Sequence, residues 1–314
     1  MSGRSLLALA VALVACALVV TRVVENRYFY FAAYGILQYI LLATAWNILG
    51  GYTGYVNFGT GAFFALGAYT SVALIRSVHA ALPVQILAAG VVSGLLGFGI
   101  GYLTLRLRGV YFSIATLALA VVAETFMVNW EYVGGSKGIS VIRPESPAIF
   151  SNYVAFLFVV MVLLALGAVT VAWFIEHSRI GRGFAAIRDS EEAAECTGVP
   201  TLRLKLLATT VSGALMGVAG APFPYYITFV EPASAFNINY AVNSLAMPMV
   251  GGTSSWLGPI IGALLLGTIQ QLVTVTISSE LPTLIVGLVL VAFVVLAPEG
   301  ILGLVRRATR RGAA

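Results

Sequence analysis

The sequence predicts an all-α polytopic membrane protein, with residues 1–314 forming a single transmembrane domain. Three observations support this: 60% of the 314 residues are hydrophobic, only 9% are charged, and long apolar segments recur along the chain. Ordinary soluble domains carry about 25% charged residues. This chain therefore has too few polar side chains to cover a water-soluble globule, and the remaining surface must face the lipid bilayer.

About ten transmembrane helices are predicted, because a helix needs roughly 20 mostly apolar residues to cross the hydrocarbon core. The first five segments lie near residues 5–21, 28–49, 58–78, 84–105 and 109–129. The other five lie near residues 152–175, 206–227, 239–251, 256–275 and 281–297, of which the eighth is short. The first segment follows Arg4 and ends in small residues, so it is either a retained first span, which we favour, or a cleaved signal peptide.

The basic residues orient these spans, because short cytoplasmic loops carry an excess of Lys and Arg. With the N-terminus inside, both termini and the long 176–205 loop are cytoplasmic, which agrees with an even number of crossings. The basic residues left outside are Arg22, Arg27, Arg76, Lys137 and Arg143. Those placed in the cytoplasm are Arg4, Arg106, Arg108, Arg179, Arg182, Arg188, Arg203, Lys205, Arg306, Arg307, Arg310 and Arg311.

Two glycine-rich segments resemble each other and predict duplicated halves with interrupted helices. GGYTGYVNFGTGAFFALGAY (residues 50–69) and GGTSSWLGPIIGALLLGT (residues 251–268) both read as a glycine pair, a short polar stretch and a Gly-Ala helix. Transporters are often built from duplicated halves whose interrupted helices meet at the transport route. The two copies are parallel in the predicted topology, and an inverted arrangement stays open.

The interrupted helices predict a substrate pathway, because unpaired backbone at membrane depth is tolerated only where protein or a water-filled cavity surrounds it. The alternative for each glycine is close helix packing through a small residue. Glu124 lies within a span, where an ionisable side chain is by default functional or paired; its alternative is a structural partner or snorkelling to the outer surface. The predicted pathway residues are Asn47, Gly51, Thr53, Gly54, Asn57, Gly59, Thr60, Glu124, Asn243, Gly251 and Gly252.

A helix of roughly two turns is predicted within the charged 176–205 loop. Ser190 is a good N-cap, acidic residues follow it in the first turn, and Gly198 can end the helix. Two turns are not stable alone in water, so we expect the helix to dock, either on its own chain or on a cytoplasmic partner. The residues predicted to contact such a partner are Arg182, Phe184, Ile187, Arg188, Asp189, Glu191, Glu192, Ala194 and Gly198.

The sequence predicts no enzyme, cofactor or metal site. It contains no phosphate-binding loop ending in Gly-Lys-Ser or Gly-Lys-Thr, no nucleophile elbow and no His-Glu-x-x-His helix. Neither His79 nor His177 lies in a cluster of metal ligands. The basic residues flank apolar segments instead of alternating with aromatics, so no nucleic-acid partner is expected. The energy for any transport must therefore come from elsewhere.

Six motifs between about residues 30 and 307 carry a family resemblance. They are NILGGYTGYVNFGTGAFFALGAY (47–69), LRLRGVYFSIATLALAVVAE (105–124), GGSKGI (134–139), GRGFAAIRDSEEAAECTGV (181–199), GGTSSWLGP (251–259) and APEGILGL (297–304). In these motifs the chain resembles the LivM-type inner-membrane permeases of bacterial branched-chain amino acid ABC importers. It departs from the family's pattern at Gly59, Thr60 and Gly61, where many members have a Gly-His pair, and at Ser254, which replaces a frequent glycine.

The resemblance implies a set of partners and a location. It implies a multi-pass protein of the bacterial inner membrane that pairs with a second, LivH-type permease, two cytoplasmic ATPase subunits and a periplasmic substrate-binding protein. It also implies that the helix around residues 189–196 is the coupling helix that sits in a groove of the ATPase. Closure of the ATPase pair would then move this helix and switch the access of the permeases.

Several functions stay open beside the leading one, an importer of branched-chain amino acids. Similar permeases import urea, short amides or aromatic acids. An ion-coupled secondary transporter would act alone, but the spans hold almost no ionisable residues to carry a coupling ion. A noncatalytic membrane scaffold or receptor is the third class, and the duplicated glycine-rich interruptions argue against it.

Overall fold

Long apolar helices make up most of the chain in a computed structural model that describes residues 3–104, 107, 109–147, 149–276, 281–297 and 299–304. The helices are α1 (Gly3–Val23), α2 (Arg27–Thr53), α3 (Thr60–Val78), α4 (Leu82–Thr104), α5 (Val110–Val128), α6 (Tyr153–His177), α7 (Arg179–Asp189), α8 (Glu191–Cys196), α9 (Thr201–Gly220), α10 (Phe223–Ile227), α11 (Pro232–Ala235), α12 (Asn239–Gly251), α13 (Leu257–Thr276) and α14 (Leu281–Leu296). Two short 3-10 helices (Glu131–Val133 and Gly135–Lys137) and two strands, β1 (Ile139–Ser140) and β2 (Phe229–Val230), complete the described elements. The predicted cytoplasmic residues Arg106, Arg108, Arg306, Arg307, Arg310 and Arg311 lie outside the described residues.

Seven segments of the described chain are long and apolar enough to cross a bilayer, which makes the chain a polytopic helical membrane protein. They are Arg27–Thr53, Thr60–Val78, Leu82–Thr104, Val110–Val128, Tyr153–His177, Thr201–Ile227 and Leu257–Thr276. The three other predicted spans correspond to shorter apolar helices: Ala8–Val23, Leu281–Phe293 and the 13-residue α12. A count of ten spans therefore stays a prediction.

α2 is the central helix of the bundle. Nearly every side chain from Gln38 to Thr53 is buried, and the helix packs against α6, α9, α12 and α13. A helix that is apolar on most of its faces is buried in this way, because no face of it needs water. It begins after Asn26, whose side chain accepts a hydrogen bond from the Tyr28 N–H, and it ends at Gly54, which adopts a left-handed conformation (φ 79°). Glycine favours such a helix end because it has no Cβ.

α4 and α9 pack closely because their facing residues are small. A Cβ on Gly217 would lie 2.2 Å from Ser93 Oγ, and a Cβ on Gly94 would lie 3.2 Å from the Ala214 side chain. Ser93 Oγ also donates a hydrogen bond to the Phe63 carbonyl of α3 (3.1 Å). Small residues let membrane helices approach and make such contacts.

The two ends of the bundle differ in structure. At one end, β1 pairs antiparallel with β2, with Ile139 opposite Val230, and Arg143 donates hydrogen bonds to the carbonyls of Tyr225 and Tyr226 (2.7 and 2.6 Å). We call this the strand end. α6 begins near it and finishes beside α7, so α7 and α8 lie at the opposite end, the α7–α8 end.

Candidate functional site

The 176–205 loop folds into two helices, α7 and α8, whereas the sequence pattern predicts only α8. α7 begins after Ser178, whose Oγ accepts a hydrogen bond from the Ile180 N–H (3.1 Å). The spacing of Ile180, Phe184 and Ile187 (i, i+4, i+7) is a helical signal. Two glycines in the same stretch favour a loop, and they obscure that signal in the sequence.

Three apolar side chains predicted to contact a cytoplasmic partner pack inside the chain instead. Phe184, Ile187 and Ala194 are 0%, 3% and 4% exposed. They are buried because the nearest apolar surface that can remove them from water is that of their own bundle, and a contact of these three with a partner stays a prediction. They fix α7 and α8 to the bundle. The exposed predicted residues of this loop are Arg182, Arg188, Asp189, Glu192 and Gly198.

α8 has the boundaries that its sequence predicts. Ser190 Oγ accepts a hydrogen bond from the Ala193 N–H (3.3 Å), and the helix runs from Glu191 to Cys196. Gly198 follows the helix end with φ 83°, and the next N–H, that of Val199, donates back to the Ala194 carbonyl (3.0 Å). Local capping chemistry therefore defines this helix.

A buried ion pair joins α8 to the bundle. Lys205 Nζ of α9 lies 2.5 Å from Glu191 Oε1, and the two side chains are only 4% and 13% exposed. The Tyr55 hydroxyl donates to the other oxygen of Glu191 and accepts from Lys205 Nζ (3.2 Å). We call these three side chains the Tyr55–Glu191–Lys205 link. The charge of Glu191 is therefore compensated inside the protein, and a contact of Glu191 with a cytoplasmic partner stays a prediction.

Tyr55 belongs to the first break, residues 54–59, which separates α2 from α3. Side chains satisfy its backbone: Trp46 Nε1 donates to the Asn57 carbonyl (2.8 Å), and Ser113 Oγ donates to the Val56 carbonyl (2.9 Å). Thr116 Oγ1 accepts from the Phe58 N–H (3.1 Å). Trp46 lies about 10 Å before the end of α2 and Thr116 about 9 Å into α5, at 1.5 Å per residue, so the break folds back into the bundle.

The second break, residues 252–256, separates α12 from α13 and is held by close backbone contacts. A Cβ on Gly251 would lie 1.8 Å from the Gly258 carbonyl oxygen, and a Cβ on Gly258 would lie 1.7 Å from the Gly252 oxygen. Gly252 has φ 117°, which L side chains rarely adopt. These contacts agree with the packing alternative for Gly251 and Gly252, and a pathway role for them stays a prediction.

The second break packs against the last turns of α2, just before the first break, at the α7–α8 end. Asn47 Nδ2 of α2 donates to the Thr253 carbonyl (3.1 Å), and a Cβ on Gly51 would lie 2.9 Å from the same oxygen. Glu176, at the end of α6, accepts from the Tyr52 hydroxyl (3.2 Å) and from the Trp256 N–H (2.6 Å). A carboxylate that accepts two such bonds holds the end of α2 against the second break.

Arg188 connects α7 to the same place. Its Nη1 lies 3.5 Å from the Gly51 carbonyl oxygen at the C-terminus of α2, where a positive charge is favourable. Its side chain also lies 3.3 Å from the position a Cβ on Gly54 would take. The sequence gives no signal for these contacts, because they join residues 137 positions apart.

Most predicted pathway residues are packed between helices. Thr60 Oγ1 accepts from Ser244 Oγ (3.1 Å), and Thr53 Oγ1 donates to the Leu49 carbonyl of its own helix. Asn243 accepts from Gln270 Nε2 (2.7 Å) and donates to the Tyr39 hydroxyl (3.4 Å). A pathway role for these residues stays a prediction. The residues buried in this way are Asn47, Gly51, Thr53, Asn57, Gly59, Thr60, Asn243, Gly251 and Gly252, whereas Gly54 is exposed.

Glu124 lies apart from the packed residues, in a cleft of about 320 Å³. We call this the Glu124 cleft. It lies where the first break and α3 meet α5 and the start of α12, near the strand end. Its lining includes Phe58, Gly61, Leu117, Glu124, Phe236 and Asn237. The cleft combines apolar walls with a carboxylate and an amide, and polar groups of this kind can orient a solute.

A second cavity, of about 550 Å³, is lined by α1, α2, α6 and α13 and has no charged side chain in its lining. It offers little to orient a polar solute. In the part of the chain that the structure describes, no three His, Cys, Asp or Glu side chains cluster as metal ligands would.

Comparisons with known proteins place these features in a family. The family model described as "Branched-chain amino acid transport system / permease component" matches residues 28–294. The chain is similar to the high-affinity branched-chain amino acid transport system permease protein LivM of Salmonella typhimurium, with 31% identity over 293 residues, 85% of this chain and 68% of that protein. LivM of Escherichia coli is 30% identical with the same coverage. LivH of Salmonella typhimurium is 24% identical over 84% of this chain and 91% of that protein. No solved structure matches.

Proposed function

Because the chain belongs to the family of branched-chain amino acid transport permeases, we propose that it is the transmembrane permease subunit of an ABC importer for branched-chain amino acids. The single observation that carries the coupling is the Tyr55–Glu191–Lys205 link. It connects α8, an exposed two-turn helix, to the first break inside the bundle. The chain itself supplies no catalytic group, and separate ATPase subunits hydrolyse ATP.

The Tyr55–Glu191–Lys205 link provides a short connection from the ATPase to the interior of the membrane domain. A force on α8 acts on Glu191, and the paired Lys205 and Tyr55 must then move with it or leave a charge buried without a partner. Movement of Tyr55 shifts the first break, in which the Asn57 carbonyl accepts a hydrogen bond from Trp46 and the Phe58 N–H donates one to Thr116. Exchange among such bonds costs little compared with unfolding a helix, so the break is the part of the route that can change shape.

The proposed function implies a set of partner proteins. The exposed side chains Arg182, Arg188, Asp189 and Glu192 form the surface that meets a cytoplasmic ATPase. A pair of ATPase subunits, a second LivH-type permease and a periplasmic binding protein complete the assembly in the bacterial inner membrane. The similarity of this chain to both LivM and LivH proteins supports two related permeases in one complex.

We propose a topology of ten spans with both termini in the cytoplasm. α1, α12 and α14 supplement the seven long segments, and the α7–α8 end is the cytoplasmic side. The two breaks have a similar local form, with a glycine pair within three residues of the helix end, a short connection and a new helix. That shared form supports duplicated halves.

Branched-chain amino acids are the proposed substrates because the family description and the names of the LivM and LivH relatives both specify them. Urea, short amides and aromatic acids are alternatives within the same transporter class. An ion-coupled secondary transporter is the less favoured mechanism, because a coupling ion would need ionisable groups in the spans. Calorimetry of the partner binding protein against leucine, urea and aromatic acids separates the substrate classes.

The surface proposed to meet the ATPase is tested by charge reversal at Arg188 and Asp189, in the double variant R188E/D189K. We expect uptake and copurification of the ATPase to be lost, with membrane insertion unchanged, because the exposed rim would then repel its partner. Glu145→Lys, an exposed reversal at the strand end, is the matched control and should retain both. Full uptake by R188E/D189K, or solute accumulation by this polypeptide alone on an ion gradient, would contradict the proposed function.

A further inference from the structure

The Glu124 cleft contains a carboxylate that has no ion-pair partner among the residues that the structure describes. Glu124 belongs to neither of the ion pairs Arg188–Asp189 and Lys205–Glu191 of the described ranges. Two basic side chains of the strand end donate to backbone carbonyls elsewhere: Arg76 to that of Tyr132, and Arg143 to those of Tyr225 and Tyr226. Glu124 is half-buried among apolar walls.

Such a carboxylate is costly at membrane depth unless a positive charge or water meets it. It lies about 6 Å from the end of α5, at 1.5 Å per residue, so solute from the strand end can reach it. Phe58 of the first break and Gly61 are part of the lining of the cleft. A solute in the cleft would therefore touch the segment that the Tyr55–Glu191–Lys205 link can move.

The remaining lining defines what kind of solute fits. Leu117, Phe236 and Phe58 present apolar surface, and Asn237 supplies an amide at the rim. The volume of about 320 Å³ lies at the small end of the range for ligand pockets, roughly 300–1,000 Å³. A carboxylate, an amide and apolar walls match a small zwitterion that has an ammonium group and an apolar side chain.

We propose that the Glu124 cleft is a binding site for a zwitterionic apolar amino acid, with its ammonium group on the Glu124 carboxylate and its side chain against the apolar walls. This rests on the proposed import function and adds to it a location and an orientation for the solute. Lipid is a poor occupant, because an acyl chain would leave the carboxylate unpaired.

The test uses the complete transporter, with both permeases and the ATPase subunits, purified in nanodiscs without the binding protein. Equilibrium binding of radiolabelled leucine is measured for the wild type, Glu124→Gln and the control Glu131→Gln, a surface carboxylate at the same end. We expect Glu124→Gln to weaken binding about tenfold or more, as loss of a hydrogen bond to a charged group does, and Glu131→Gln to bind as the wild type does.

Competition identifies the group that Glu124 recognises. Leucinamide keeps the ammonium group, whereas 4-methylpentanoate has only the carboxylate, so leucinamide should displace leucine from the wild type and 4-methylpentanoate should not. In Glu124→Gln this difference should shrink, which a purely structural role of Glu124 would not cause. Absence of leucine binding to the wild type, or equal competition by both compounds, would overturn the proposal.

A second variant covers the case in which Glu124→Gln fails to assemble. Ala120→Leu fills the same cleft without changing its charge, and it should raise the KM of ATP-driven leucine uptake in proteoliposomes supplied with the binding protein. Unchanged KM in an assembled Ala120→Leu transporter would refute the cleft as the site. Failure of the wild type to take up any branched-chain amino acid would refute the proposed function itself, and the two failures are thus distinguishable.

Discussion

The two breaks carry similar glycine-rich sequences but are held by different forces. In the first break, backbone carbonyls accept single hydrogen bonds from Trp46 and Ser113, and the Phe58 N–H donates one to Thr116. In the second break, Gly251 and Gly258 bring backbone atoms so close that no side chain would fit between them. One break depends on exchangeable polar contacts and the other on steric fit.

This difference indicates that the two breaks have different roles. Hydrogen bonds can exchange partners at small net cost, whereas a closely packed interior tolerates little displacement. The first break is also the one connected to α8, through the Tyr55–Glu191–Lys205 link. We therefore expect the first break to move during transport and the second to serve as a fixed support.

The largest effect is expected at the second break. Gly258→Ala places a methyl group 1.7 Å from the Gly252 oxygen, and neither backbone can easily move away. We expect a loss of stability above about 5 kcal/mol, in the exceptional class for one substitution, seen as failure to recover monodisperse protein in detergent. Gly287→Ala on α14, where nothing lies within 4 Å, is the control. If Gly258→Ala were recovered as well as the wild type, steric fit would not be what holds the second break in place.

An intermediate effect is expected at the link between α8 and the first break. Lys205→Met leaves the Glu191 carboxylate buried without its cation, and breaking a buried pair in this way costs about 3–5 kcal/mol. Thermal unfolding in detergent should report this loss, and the double variant E191Q/K205M should recover most of it. The exposed Lys137→Met should unfold as the wild type does. Equal stability of the single and double variants would show that the two charges are not coupled.

The smallest effect is expected within the first break itself. Thr116→Val removes the acceptor for the Phe58 N–H while keeping the shape of the side chain, at a cost of about 1–3 kcal/mol for a buried group left unsatisfied. Thr125→Val on the exposed part of the same helix is the control, because its hydroxyl bonds only within the helix. A difference below about 0.5 kcal/mol between the two variants in thermal unfolding would mean that the break does not depend on this bond.

The sequence predicts well what depends on neighbours along the chain. α8 is bounded by Ser190 and Gly198 as its capping residues predict, and the glycine pairs at 50–51 and 251–252 do mark interrupted helices. α7 is missed because its glycines mask its apolar spacing. Burial of Phe184 and Ile187 is missed because an apolar helix face gives no information about which surface will cover it.

The candidate site is predictable only in part for the same reason. Glu124 stands out in the sequence as a charge within an apolar span, and the structure places it in a cleft. Lys205 and Glu176 also interrupt or end apolar segments, and that signal could have identified them. Their partners could not be predicted, since Tyr55 lies 136 positions from Glu191 and Trp256 lies 80 positions from Glu176.

The sequence by itself determined that this chain belongs in a membrane, roughly where it crosses, where its helices are interrupted and where α8 begins and ends. These properties follow from composition and local capping, since lipid selects apolar segments and each helix end needs partners nearby. Only the tertiary structure decided that Glu191 faces Lys205 and Tyr55 while Glu124 faces an open cleft. The strength of an ion pair or hydrogen bond depends on distance in space and on burial, and spacing along the chain specifies neither.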